Sequence, residues 1–504
     1  MKHRPGLVET VPGGGVRRID PEAPETRAGA GAPPEAHGVR IDASPSSFEL
    51  LREYPDATSV YYRVDYGRLE WGFDLEAFLP ESGPPPVPSP GILLPLLQGS
   101  APAPDATVLP GVQRLPVGTA VRVTGQGINV TRRQPVLPEP ARRGGLVEAV
   151  AEVLGGSGDY AIAYSGGLGS AFLAACALAA GHRPPLLHAD LGASVHRTPA
   201  PDVPGLSLKR IRIDPSELLD EHPITGEELV PPMPDREVPR RLAAALAGAR
   251  DGTGGPPLIG GTLVKELTSA KLPDVNTGVR GWRLLGCEPF HAAGTLRTLD
   301  DARTLLGKGV VYSPDAQPVG APAPPSPTGG TALPGLTAEG AEVFQSAHRA
   351  GMAIWQELLD SLDPVLGAAT AGIAECGDGG MRLPVLDPRV LATLAALKPS
   401  RLGRIRGGTF ERNLPLHAAL ARHGITGVRR TARGHWLRRA AATHLHRERR
   451  KIIARLDREC ALADLGLVDP QAVIRVLSDG RDLADNALPL LRLVWLEHWL
   501  RGGS

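Results

Sequence analysis

Residues 165–170 read Ser-Gly-Gly-Leu-Gly-Ser, the stretch of this chain best suited to holding a polyphosphate. A short β-prone run, 160–164, ends at the glycines, and an Ala- and Leu-rich helix is predicted directly after them. Glycine lets backbone approach a phosphate closely, and a helix start presents free N–H groups and the positive end of its dipole. The candidate phosphate-binding residues are therefore Ser165, Gly166, Gly167, Leu168, Gly169 and Ser170. Asp190 joins them because it closes the next strand-like run, 185–190. The same pattern also fits a strand-to-helix turn with no ligand. A second turn, 260–268 (GGTLVKELT), follows the apolar run 256–259 and carries Lys265 and Glu266, which equally fit a solvated pair at a helix start. Further on, 429–451 holds nine lysines and arginines against one acid, Glu448. That run fits a solvated helix face, or a surface for a peptide or a phosphate. Trp436 is its one aromatic residue, which argues against a platform for nucleic-acid bases.

The elements that must position these residues alternate. Strand-like runs at 160–164, 185–190, 206–213 and 256–259 are separated by helical patterns, including 171–181, a short 215–220 and 238–249, with a further helix, 144–154, ahead of the first strand. Such βαβ alternation predicts a doubly wound α/β core with its ligand site at the carboxyl ends of the strands. Ahead of it, 58–64 and 68–71 read as strands around a turn at 65–67, and 119–124 as another strand. Residues 75–79 form a helical turn in this reading, and the Pro-rich 80–95 breaks the pattern. Residues 1–40 are rich in Pro, Gly and charge, and are expected to be disordered. A flexible linker is expected at 318–334, with helices at 338–362 and 390–397.

The 504 residues suffice for two or three domains. With a formal net charge of +1, no global field favours nucleic acid or a membrane surface. All but seven of the 55 basic residues are arginine, a skew attributed to coding bias. The 61 glycines and 51 prolines predict many loops. Cys176, Cys287, Cys376 and Cys460 lie far apart, which suggests neither a zinc site nor a disulfide framework and fits a reducing compartment. No apolar run reaches the roughly 18 residues a membrane helix needs, so a cytoplasmic location is expected.

The hexapeptide SGGLGS resembles the SGGLDS pyrophosphate loop of asparagine synthetases, β-lactam synthetases and lasso-peptide macrolactam cyclases. The 260–268 turn resembles that family's GEGSDELT-type turn, and 381–387 (MRLPVLD) its R.PFLD segment. Residues 109–118 resemble the lPGv.rlPpG that ends the glutaminase domain. Towards the C-terminus, 428–435 (VRRTARGH), 462–470 (LADLGLVDP) and 494–501 (VWLEHWLR) are similar to segments of lasso cyclases. The resemblance runs over roughly 57–501. It implies a PP-loop ATP pyrophosphatase-like α/β domain with C-terminal helices at 138–504, behind a truncated glutaminase-like β domain at 41–137. It also implies an ATP-dependent, AMP-forming amide-bond synthetase that activates a carboxylate as an acyl-adenylate for attack by an amine. Its expected partners are a precursor peptide or another carboxylate and amine substrate, with a partner cyclase or leader-peptide protease beside it. Arg433, Lys265 and Glu266 take the catalytic positions, and Arg433 stands where the family's basic turn residue stabilises the adenylate.

Several departures bear on that expectation. The family's two metal-holding aspartates fall at Gly169 and Lys265, with Glu266 the alternative ligand if the short match is one residue out of step. Gly380 stands at the catalytic glutamate of asparagine synthetases, with Asp378 the nearest acid. No cysteine precedes Cys176, so no glutaminase activity is expected. ATP is the expected cofactor, and Mg²⁺ would be held without its usual ligands. The alternative is a catalytically degenerate paralogue serving as a peptide- or nucleotide-binding scaffold.

Overall fold

The computed structural model describes residues 6–11, 15–19, 38–55, 59–79, 88–140, 145–192, 200–221, 229–249, 257–268, 333–377, 379–406, 409–428, 435–479 and 483–502. Arg433, Asp378, Cys287 and most of the expected 318–334 linker lie outside them. The described fold is mixed α/β: antiparallel sheets first, then a parallel sheet, then helices.

The N-terminal part is two antiparallel sheets sharing one core. Strands β1 (Gly6–Val11), β2 (Gly15–Ile19), β5 (Tyr61–Asp65), β6 (Arg68–Gly72) and β7 (Gln113–Arg114) form one sheet in the order β2-β1-β6-β5-β7. Strands β3 (Val39–Ser44), β4 (Ser47–Arg52), β8 (Thr119–Thr124) and β9 (Gly127–Arg132) form the other, ordered β3-β4-β8-β9. Val8, Tyr62, Leu69 and Trp71 from the first pack against Phe48, Leu50, Val121 and Val123 from the second. Two expectations fail here. Residues 6–11 and 15–19 are strands rather than disordered chain, because β1 gains a second partner in β6, with Val8 opposite Leu69. The Pro-rich stretch ends in a helix, Pro90–Gln98, which begins with proline at its first position under a Ser89 cap. Proline is tolerated there because that N–H would have no partner in any case.

The parallel sheet holds β10 (Ala161–Ala163), β11 (Leu186–Asp190), β12 (Leu208–Arg212) and β13 (Leu258–Ile259), in the order β12-β11-β10-β13. Alternate residues face opposite sides. Ala161, Leu187 and Leu258 enter one core, while Ile162, Leu186 and Ile259 enter another. Both faces are therefore covered, as near-continuous apolar strands require. The helix Leu168–Ala179 is buried from Ser170 to Ala177, which explains an apolar composition with no polar stripe.

The C-terminal helices close the other core. Leu483–Leu500 packs along His435–Arg458, with Trp495 at its centre. The Trp495 indole donates to the Leu219 carbonyl at 3.2 Å, and the Arg241 guanidinium lies 4.7 Å from its ring centroid. Among the described residues no helix is long and apolar enough to cross a membrane.

Candidate functional site

Two glycine-rich turns meet at the carboxyl edge of the parallel sheet. One leaves β10 and the other leaves β13, and these strands are neighbours where the strand order reverses. In open α/β sheets that reversal opens the crevice in which ligands bind.

The first turn is shaped by Gly166, whose φ of +73° is a left-handed conformation open to glycine. A Cβ on it would stand 2.9 Å from the Pro201 ring. Gly167 then starts the helix Leu168–Ala179, with no side chain capping it. The first N–H to bond within the helix is that of Ala171, to Gly167 O at 3.0 Å. The amides of Leu168, Gly169 and Ser170 precede it at the helix start, where backbone donors have no intrahelical acceptor. Hydroxyls tighten the turn: the Gly167 N–H donates to Ser165 Oγ at 3.3 Å, and Ser170 Oγ donates to Gly167 O at 3.1 Å. Beneath it, the buried His188 ring places Nδ1 2.7 Å from the Tyr164 carbonyl. A carbonyl only accepts, so Nδ1 carries the proton.

The second turn touches the first directly. A Cβ on Gly169 would clash with the carbonyl oxygen of Gly261, and one on Gly261 would lie 2.6 Å from Gly169 C and Ser170 N. Neither position has room for a side chain. Leu263 follows with φ +66°, uncommon for leucine, and its side chain is buried. The short turn Val264–Leu267 exposes Lys265 and half-buries Glu266. On the far side of β13, Arg382 of the 381–387 segment makes a parallel bridge to Ile259 and accepts the Gly260 N–H at 2.9 Å. That segment is thus a continuation of the sheet.

The structure brings 165–170 and the Lys265–Glu266 turn together. Asp190 stands at the end of β11, exposed, with its carboxylate accepting the Gly192 N–H at 3.0 Å. Two C-terminal motif segments have a structural task. Glu497 of 494–501 is 1% exposed and accepts from Cys460 Sγ, the Ala461 N–H and the Leu462 N–H at 3.2, 2.9 and 2.6 Å, anchoring the start of 462–470. Sequence reading passed over His188, Gly261 as a contact, and Asn413, which accepts from Thr268 across the core. The signal for Gly261 was its place in a second Gly-Gly pair after a strand.

The two positions matched to the family's metal-holding aspartates do not fit Mg²⁺. That ion demands several oxygen ligands near 2.1 Å. Position 169 has neither a side chain nor space for one, and Lys265 brings a cation. No group of three or more metal-ligating side chains occurs among the described residues. No protein-family model matches the chain, and no curated protein matches it.

Proposed function

We propose that this chain is an ATP-dependent, AMP-forming amide-bond synthetase of the asparagine synthetase and lasso-peptide cyclase type. In this proposal the parallel sheet is a PP-loop ATP pyrophosphatase-like doubly wound core, and the antiparallel sheets are a degenerate glutaminase-like domain. The observation that carries it is the meeting of the 165–170 and 260–268 turns at the strand-order reversal between β10 and β13. A substrate carboxylate oxygen would attack the α-phosphorus of ATP, breaking the bond to the β-phosphate and releasing pyrophosphate. An amine would then attack the acyl carbon and expel AMP. The helix-start amides of 168–170 and the Lys265 ammonium would receive phosphate charge, and Arg433 would steady the adenylate on the strength of the resemblance. The expected substrate is a precursor peptide, or another carboxylate and amine. A neighbouring cyclase or leader-peptide protease is the proposed partner, and the cytoplasm the proposed location.

A second assignment, a non-catalytic nucleotide- or peptide-binding scaffold, is favoured by one observation: both metal-ligand positions are altered, at Gly169 and Lys265. ATP–pyrophosphate exchange separates the two. Peptides with a free N-terminus and an internal Asp or Glu are expected to drive isotope from pyrophosphate into ATP. Binding of ATP or peptide without exchange supports the scaffold. Neither binding nor exchange overturns both.

A further inference from the structure

We infer that these two turns are linked by backbone contact instead of by a divalent cation, so that nucleotide binding beside them is independent of metal. This rests on the proposal above that the crevice takes a polyphosphate. A cation that ties two loops together needs an oxygen from each, and Mg²⁺–oxygen bonds of about 2.1 Å hold opposed ligand oxygens roughly 4 Å apart. Residue 169 has no side chain to supply such an oxygen and no room for one. The carbonyl oxygen of Gly261 stands too close for a Cβ on residue 169, and a Cβ on residue 261 would lie 2.6 Å from the backbone of Gly169 and Ser170. Each glycine therefore depends on the other, and the contact does mechanically what a shared ion would do electrostatically.

The side chains agree with the backbone. Residue 169 cannot project a carboxylate without displacing the Gly261 peptide, which is itself tied through Gly260 to the Arg382 strand segment by a 2.9 Å hydrogen bond. Residue 265 supplies a positive charge on an exposed stem, where it adds to the neutralisation of an anion and repels a cation. Glu266, the other candidate, is a single carboxylate with no second one opposite it on residue 169.

Calorimetric titration of the full chain with ATP, in EDTA and in excess Mg²⁺, tests this, together with Mn²⁺ titration of the protein followed by the paramagnetic resonance of free Mn²⁺. The expected results are dissociation constants within about twofold of each other and an undiminished free-Mn²⁺ signal. An ATP affinity at least tenfold higher with Mg²⁺, or stoichiometric Mn²⁺ uptake, overturns the inference. If ATP binds under neither condition, the proposed nucleotide site falls, and the Mn²⁺ result alone decides the metal question. Gly169→Ala and Gly169→Asp add an independent arm. Both should lower the melting temperature, with no recovery of the aspartate variant in Mg²⁺. A Gly169→Asp protein that melts like wild type and takes up Mn²⁺ overturns the backbone link.

Discussion

Thr268 and Asn413, 145 positions apart, meet in the interior, where Thr268 Oγ1 donates to Asn413 Oδ1 at 3.0 Å. Both are buried, and Asn413 holds φ +57° at the start of the helix Leu414–Arg422. The Thr268 hydroxyl is also 2.7 Å from the Val264 carbonyl, so its one proton is shared between its own turn and a distant helix. Thr268→Val keeps the shape and leaves a buried amide oxygen without its donor. The expected loss is about 1–3 kcal/mol, read as a shifted denaturant midpoint at unchanged slope. An unshifted midpoint would show that water replaces the hydroxyl.

Glu497 performs a comparable service for the C-terminal helices. Its buried carboxylate takes three donors from 460–462 and faces Arg501 Nε at 3.5 Å. Glu497→Gln removes the charge and turns an NH₂ group towards backbone donors. A loss of roughly 1.5–3 kcal/mol is expected, the range for hydrogen bonds to a charged group. The Cys460 thiol, pushed up to about 12 by burial and the carboxylate, should become easier to titrate in the variant. Thiol reactivity against pH, in native protein, checks both.

The parallel sheet was legible because its strands are short apolar runs between helical patterns. Even β13, two residues long, showed itself as Leu258–Ile259 between a proline pair and a glycine pair. The 165–170 turn was legible from its glycines. What stayed hidden depends on partners distant in sequence. β1 is a strand because Val8 finds Leu69, and no local feature of a Gly-, Arg- and Pro-rich segment announces that pairing. The meeting of the 165–170 and 260–268 turns rests on Gly169 against Gly261, a contact that composition cannot show. The basic run at 429–451 fits a solvated helix face or a binding surface, and the described helix His435–Arg458 turns Arg438, Arg447 and Arg450 to solvent while burying Leu437, Leu445 and Ile452.

Acidification should destabilise the fold through two histidines. Burial pushes the His444 imidazole below its ordinary value, with Arg447 adding to it, and burial alone lowers His348. His444 Nδ1 and His348 Nε2 are buried without a hydrogen-bond partner among the described residues. The unfolded chain takes up protons below about pH 6.5 while the folded chain lags, so stability is complete above that pH and falls as pH drops through the window. Each histidine contributes at most about 1.4 kcal/mol per pH unit. Melting temperatures at pH 7.5 and 5.5 should differ, and by less in His444→Gln and in His348→Gln. An equal drop in the variants would assign it to the carboxylates.

Lys265 is the group whose replacement tests the proposed site most directly. It is exposed beside Val264, whose Cβ lies 3.5 Å from where a Cβ on Gly169 would sit, so the ammonium starts from a turn in contact with the 165–170 turn. If it neutralises phosphate, Lys265→Ala should weaken ATP binding by about 1–3 kcal/mol, roughly five- to 150-fold, the worth of a charged hydrogen bond. Lys265→Arg should keep most of the affinity, and Glu266→Gln should leave it unchanged or improved, since a nearby anion opposes the ligand. Affinity should also fall with salt, and less steeply in the alanine variant. The Lys265 side chain is exposed, so the melting temperature without ligand should not move in the variant. Binding that is indifferent to Lys265 but lost in Glu266→Gln would reverse the two roles and restore a carboxylate-based site.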